Sequence, residues 1–228
     1  MKSRKELVMR RYDYVLFDLD GTLTDPFEGI TGGVQYALRQ LGRPVPPKEQ
    51  LTGFIGPPLQ KQFQQFCGIS SEQAAWAVEQ YRVYFADRGI FENRLYEGIP
   101  QLLEALCEAG QVLLVASSKP QVFVERILEH FHIRQYFTYV AGSELSGARV
   151  EKEEVIAHVL RQAGVAPGAA AVMVGDRCFD VEGAHQLGLP CIGVSFGYGG
   201  REELERAGAD GVADTVQQLQ CQLLEDCS

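Results

Sequence analysis

The 228-residue sequence lacks most of the patterns that would assign it at a glance. It has no C-x-x-C pair. Its six cysteines (Cys67, Cys107, Cys178, Cys191, Cys221 and Cys227) are spread through the chain and indicate neither a zinc ribbon nor a thioredoxin-type redox site. It has no G-x-G-x-x-G and no G-x-x-x-x-G-K, so dinucleotide and P-loop readings have no support. Positive charge is scarce: 21 Lys and Arg face 30 Asp and Glu, a formal net charge of −9. Phosphate-backbone affinity is built mainly from Lys and Arg, so this balance argues against nucleic acid or an acidic membrane as partner. The basic start (Lys2, Arg4, Lys5, Arg10, Arg11) is too short to reverse that balance and reads as a solvated tail. No stretch approaches the ~20 apolar residues of a membrane span, and no signal peptide precedes the first apolar run, Val15-Leu16-Phe17. The expectation is a cytoplasmic protein with reduced thiols. Oligomeric state stays open between monomer and homodimer.

What is present is rhythm. At 46% hydrophobic residues the chain has an ordinary core's worth of apolar side chains, which excludes general disorder. Short apolar runs recur at Tyr14–Phe17, Val112–Ala116, Phe137–Val140, Ala171–Val174 and Cys191–Val194, and helical patterns separate the later ones. Those patterns are 101–109, 121–131, 151–163 and 179–187, with Pro100 opening the first and Gly110, Gly164 and Gly188 as stops. Strands of this length alternating with helices specify an α/β protein with a parallel sheet. One connection is far too long for a simple crossover. After the first strand, residues 27–41, 59–67 and 73–87 carry helical patterns, broken at Pro44, Pro46-Pro47 and Gly56-Pro57-Pro58. The expected architecture is a Rossmann-like core of residues 1–25 and 96–228, with a small all-helical cap of residues 26–95 inserted after the first strand.

In open parallel sheets ligands bind outside the carboxyl ends of the strands. Asp18, Ser117 and Asp176 each follow an apolar run and should meet at that edge. Asp20 lies two residues after Asp18 and Asp180 four after Asp176, spacings that keep each pair on one side. Four converging carboxylates would drive some of their number to protonate unless a cation were present. An all-oxygen donor set suits Mg²⁺ better than Zn²⁺, which favours His or Cys. Lys119 and Lys152 are candidates to balance an incoming anion. Together these groups point to phosphoryl transfer, with a carboxylate able to serve as nucleophile.

The residues that carry this chemistry also carry a resemblance. Asp18-Leu19-Asp20-Gly21-Thr22-Leu23-Thr24 resembles the D-x-D-G-T-[LV]-[TS] signature of the haloacid dehalogenase superfamily. Val115-Ala116-Ser117-Ser118-Lys119-Pro120 is similar to its second motif, Lys152 to the lysine of the third, and Gly175-Asp176-Arg177-Cys178-Phe179-Asp180 to the fourth. Ile55-Gly56-Pro57-Pro58-Leu59 and Ser118-Lys119-Pro120 look most like the phosphoglycolate phosphatase group. The resemblance implies a Mg²⁺-dependent phosphatase acting on a small phosphorylated metabolite, phosphoglycolate-like or nucleotide-like. It implies that Asp18 is the nucleophile, Asp20 the acid and base, Ser117 a ligand of the phosphoryl oxygens, and Lys152 a counter-charge. Thr22, Ser118 and Lys119 would bind substrate. Asp176 would hold Mg²⁺ with an Asp18 oxygen and the Asp20 main-chain carbonyl, and Asp180 would orient that shell. Two alternatives share the fold: a phosphomutase similar to β-phosphoglucomutase, and a non-catalytic binding protein.

Other residues read more plainly. Cys178 lies among acids that should raise its thiol pKa and blunt it. Trp76, Tyr81, Tyr84 and Phe85 read as the cap's own core. Phe54, Arg82, Arg88, Glu92, Asn93 and Tyr96 are candidates to face substrate from the cap. Arg177 and Ser146 depart from what the family usually carries, and bear on substrate or packing.

Overall fold

Every strand of the sheet alternates between two apolar environments, and that alternation organises the molecule. The computed structural model describes residues 11–224. Its strands are β1 (Tyr14–Phe17), β2 (Thr24–Asp25), β3 (Arg94–Leu95), β4 (Val112–Pro120), β5 (Phe137–Ser143), β6 (Ala171–Gly175), β7 (Cys191–Val194) and β8 (Gly211–Ala213). Six of them form one parallel sheet in the order β5-β4-β1-β6-β7-β8. The chain builds outward from β1 to β5, then returns past β1 to build the other half. The carboxyl ends beside β1 are therefore the switch point at which such sheets bind ligands.

The helices are α1 (Phe27–Gln40), α2 (Leu59–Cys67), α3 (Ser71–Tyr84), α4 (Ile99–Glu108), α5 (Gln121–His130), α6 (Lys152–Gln162), α7 (Cys178–Gln186), α8 (Gly200–Ala207) and α9 (Val216–Leu223). Val15, Phe17, Val115 and Val174 face one side of the sheet and pack with apolar residues of α4, α5 and α9. Leu16, Leu114 and Met173 face the other and pack with Val155, Ile156, Val181 and Leu204 from α6, α7 and α8. Strands covered on both faces are apolar throughout, which is why they read as runs rather than alternations.

The helices α1–α3 lie between β2 and β3, an antiparallel pair in which Thr24 faces Leu95 and Asp25 faces Arg94. We take this pair as the boundary of the insert. Close approach within it rests on glycine: a Cβ on Gly29 would lie 1.9 Å from the Gly89 carbonyl, and one on Gly33 2.7 Å from the Tyr81 ring. Ser70 caps α3 reciprocally with Gln73. Past Tyr84 the helix widens into a single π turn, Phe85–Gly89, where the 73–87 pattern anticipates α-helix. The apolar side chains of the insert (Ile30, Phe54, Phe63, Tyr81, Phe85) are continuous with the cluster on the α4/α5 side of the sheet.

Several elements escape the sequence reading. Gly211–Ala213 is three residues long, and β2 and β3 are two each, too short to show a period. β4 runs on to Pro120 instead of ending at Ala116, with its pairing to β5 shifting register in between. Cys67, Cys107, Cys178 and Cys191 are free, but Cys221 on α9 is disulfide-bonded, so the expectation of reduced thiols fails there; Cys227 lies outside the described residues. No helix among the described residues is long and apolar enough to cross a membrane.

Candidate active site

The central strand delivers the first carboxylate. The Asp18 N–H donates to the Val174 carbonyl at 2.9 Å, so Asp18 stands at the end of β1 beside β6. The chain then turns tightly: Leu23 and Thr24 N–H both donate to the Leu19 carbonyl at 3.0 Å, and Gly21 supplies the left-handed φ of +88°. Ser117 arrives from β4, Asp176 from the end of β6, Lys152 as the first residue of α6, and Asp180 from the first turn of α7. The Arg177 N–H donates to Asp180 Oδ2 at 3.0 Å and fixes that side chain. All of these side chains, and Asp20, are buried.

Lys152 holds the centre. Its Nζ is 2.8 Å from Asp18 Oδ1, 2.7 Å from Asp180 Oδ1 and 3.1 Å from the Ala116 carbonyl. Burial disfavours the ammonium, but Asp18 and Asp180 more than offset this and raise its pKa. Asp18, Asp176 and Asp180 each bring a carboxylate oxygen within 4.8 Å of the others. Asp176 is held as an acid well above its ordinary value by burial and then by Asp180 and Asp18, relieved in part by the Tyr198 N–H at 2.7 Å. Its other oxygen, Oδ1, has no hydrogen-bond partner among the described residues. One lysine thus pairs with two of the three clustered carboxylates, and the third, Asp176, keeps an oxygen without a hydrogen-bond partner. The arrangement fits a hard divalent cation bound by oxygen. Asp20 is not one of the three clustered carboxylates.

Asp20 pairs instead with Lys119, whose Nζ is 2.6 Å from its Oδ2 and 4.5 Å from the centre of the Phe85 ring. Burial raises the Asp20 pKa although Lys119 pulls against it. Asp18 and Asp20 form the floor of a cavity of about 370 Å³ whose roof includes Phe54, Tyr81, Arg82 and Phe85 from the insert. Tyr81 and Phe85 are stacked, with centroids 5.2 Å apart. Ser117 and Ser118 line the same cavity. A second cavity of about 370 Å³ also reaches Asp18, along Lys61, Lys152 and Arg177, with Gly56, Pro57 and Pro58 common to both.

Asp18, Asp20, Ser117, Ser118, Lys119, Lys152, Asp176 and Asp180 are thus brought together. Thr22 is fully buried in the turn after β1 and, like Asp176, lines neither cavity. Among the cap candidates only Phe54 and Arg82 reach the first cavity. Arg88 and Glu92 pair with each other, Asn93 donates to Thr24, and Tyr96 packs on Phe196. Tyr81 and Phe85 are both core and cavity wall, while Trp76 is 40% exposed rather than core. Arg177 reaches across to the insert, donating to the Ile55 carbonyl at 2.6 Å while Glu203 holds its Nε at 2.9 Å. Burial and Glu203 push the Cys178 thiol up to about 11.

The sequence reading passed over Gly197 and Tyr198. A Cβ on Gly197 would lie 2.4 Å from Asp176 Cβ and 2.4 Å from the Gly21 carbonyl, so only glycine fits there. The signal was the glycine-rich run Gly197-Tyr198-Gly199-Gly200 just after β7.

Comparison with known proteins identifies the family. The family model described as haloacid dehalogenase-like hydrolase matches residues 15–194. A 5′-nucleotidase of Pseudomonas aeruginosa is 49% identical over 194 residues, covering 85% of this chain and 87% of that one. The tyrosine-protein kinase PtkA of Mycobacterium tuberculosis is 40% identical over 207 residues, covering 90% of this chain and 70% of that one. Among solved structures, a predicted phosphatase from Clostridium acetobutylicum superposes with a TM-score of 0.90 at 44% identity, covering 92% of this chain and 97% of that one.

Proposed function

The chain belongs to the haloacid dehalogenase-like hydrolases, and we propose that it is a Mg²⁺-dependent phosphomonoesterase working through an aspartyl-phosphate on Asp18. The observation that carries the reading is Lys152 between Asp18 and Asp180 beneath a cavity whose floor also holds Asp20. Asp18, Asp176 and Asp180 would hold the cation, which when bound neutralises phosphoryl charge.

In this reading an Asp18 oxygen attacks phosphorus in line while the bond from phosphorus to the ester oxygen breaks. Lys152, 2.8 Å from Asp18 Oδ1, offsets the charge of that carboxylate towards the approaching anion. Ser117 donates its hydroxyl proton to a phosphoryl oxygen. Asp20, its pKa raised by burial, passes its proton to the departing ester oxygen and becomes a carboxylate beside Lys119. It then takes a proton from the water that attacks phosphorus, and the bond to Asp18 breaks to return the free carboxylate and phosphate. The roof of Phe54, Tyr81 and Phe85 excludes bulk water from both steps.

The cavity favours a nucleotide-like leaving group over a phosphoglycolate-like one. Its volume falls within the usual range for small-ligand sites. Its lining is rich in aromatic side chains (Phe54, Tyr81, Phe85 and Phe123), and both of its lysines are engaged, Lys119 by Asp20 and Lys61 by Glu151. A leaving group bearing a carboxylate would compete for those cations, whereas a nucleoside would bury its ring surface against the apolar lining. The likeness to a 5′-nucleotidase supports the same choice. A small phosphorylated metabolite as substrate suits the cytoplasm, where we place the enzyme.

The test is phosphate release from nucleoside 5′-monophosphates and phosphoglycolate with Mg²⁺, with and without chelator, beside Asp18→Asn. Release that the chelator stops, Mg²⁺ restores and the variant lacks is the expected result. Indifference to chelator refutes the metal role. An isomerised sugar phosphate in place of free phosphate replaces the hydrolase by the mutase.

A further inference from the structure

Tyr198 joins two parts of the molecule that the phosphatase reading treats separately. Its backbone N–H donates to Asp176 Oδ2 at 2.7 Å, while its phenolic hydroxyl donates to Asp25 Oδ1. Asp25 belongs to β2, the strand through which the chain enters the helical insert. Its other oxygen, Oδ2, accepts from Arg94 Nε at 2.9 Å and Nη2 at 2.7 Å, and Arg94 belongs to β3, the strand through which the chain returns. The Phe27 N–H donates to Asp25 Oδ1 at 3.1 Å, so the same carboxylate also holds the first turn of α1. One side chain thus collects both connecting strands and the first helix of the insert. Although burial raises Asp25, the hydrogen bonds from Tyr198, Arg94 and Phe27 outweigh it and keep its carboxyl below the ordinary range, ionised and accepting from all three.

The other end of the link is stiff. Gly197 lies so close to Asp176 and to the Gly21 carbonyl that a Cβ there would sit 2.4 Å from each, which leaves the segment before Tyr198 little room beside the carboxylate. Gly21 packs closely on the same carboxylate, where a Cβ would lie 2.1 Å from Asp176 Oδ2. A continuous chain of hydrogen bonds therefore runs from Arg94 and Phe27 through Asp25 and Tyr198 to Asp176. We propose that Tyr198 is a positioning residue that couples the angle of the helical insert to the placement of the Asp176 carboxylate. The inference rests on the reading of Asp18, Asp176 and Asp180 as a cation site. Coupling of this kind is reciprocal: a cation that fixes Asp176 steadies the connecting strands, and a broken connection weakens the cation's hold.

Tyr198→Phe is the clean test, because it keeps the ring and the N–H to Asp176 and removes only the hydroxyl on Asp25. Mg²⁺ binding is measured by calorimetry without substrate, and amide exchange of residues 24–30 and 92–96 is followed with and without Mg²⁺. In the wild type, Mg²⁺ slows exchange in both segments. In Tyr198→Phe, Mg²⁺ affinity falls about fivefold or more, the low end of usual coupling between sites, and the added protection disappears. A hydroxyl that served only to stabilise the fold would lower the melting temperature and leave both readouts alone. Wild-type uptake of Mg²⁺ with unchanged affinity and protection in Tyr198→Phe overturns the coupling alone. A wild type that takes up no Mg²⁺ overturns the coupling and the metal-dependent reading together.

Discussion

Replacing Lys152 with Met should injure the protein before any chemistry is asked of it. The side chain is 6% exposed and is the only ammonium in contact with Asp18 and Asp180 among the described residues. Met keeps its length and removes its charge, stranding two buried carboxylates and the Ala116 carbonyl that Lys152 also serves. Removing one partner of a buried ion pair costs about 3–5 kcal/mol, because the remaining charge has neither water nor a counter-ion. For a chain of this size that corresponds to a melting temperature lower by roughly 6–20 °C, at about 2–4 °C per kcal/mol. Metal-free protein at neutral pH is the sample, followed by thermal unfolding. Two companions sharpen the measurement. Lys48→Met breaks an exposed pair with Glu28 and should cost only about 0–1 kcal/mol. Adding Asp18→Asn to Lys152→Met removes one of the stranded charges, so the double variant should melt above Lys152→Met alone. Mg²⁺ should narrow the gap to wild type, since it binds the folded carboxylates and not the unfolded chain. A Lys152→Met melting point within about 2 °C of wild type, far inside the per-residue effects expected here, would refute the electrostatic account of the site.

Three further outcomes follow from the same geometry. Gly21→Ala places a Cβ 2.1 Å from Asp176 Oδ2 at a left-handed φ, and should lower phosphate release by about 10²-fold, the effect of an ångström-scale misplacement; near-normal turnover would show that Asp176 has room to move. Asp25→Asn tests a pH dependence. The Asp25 carboxyl is held below its ordinary value of 3.8, so its contribution is full above that pH and fades as pH falls through the folded value. The difference in urea stability between wild type and variant should therefore be constant from neutral pH to about 4 and shrink below it; a difference that grows in acid would contradict the assignment. Phe63→Ala empties a fully buried site against Phe54 and should cost about 3–5 kcal/mol in urea unfolding. It should also raise KM through the loosened Phe54 wall, and an unchanged KM would remove Phe54 from the substrate's roof.

The parts legible in the sequence were those that one local pattern could report. Asp18, Ser117 and Asp176 each follow an apolar run directly, so their convergence is legible once parallel neighbours are inferred. Lys152 and Asp180 sit in first helical turns, where start signals are strong. Tyr198 was illegible because its part is split between a backbone N–H and a hydroxyl that meet residues 22 and 173 positions away. Gly197 acts through the absence of a side chain. The aromatic roof was half legible: helical spacing marks Tyr81 and Phe85 as buried, but spacing alone does not separate a packed core from the wall of a cavity.

The central claim is that Asp18 carries the phosphoryl group. It is tested most directly by mixing enzyme, Mg²⁺ and a radiolabelled nucleoside 5′-monophosphate, quenching in acid within a turnover, and mapping the label by peptide. The account predicts labelled phosphate on the Asp18 peptide in wild type, and neither label nor phosphate release in Asp18→Asn. Phosphate release that persists in Asp18→Asn, with no labelled peptide in either protein, would contradict it.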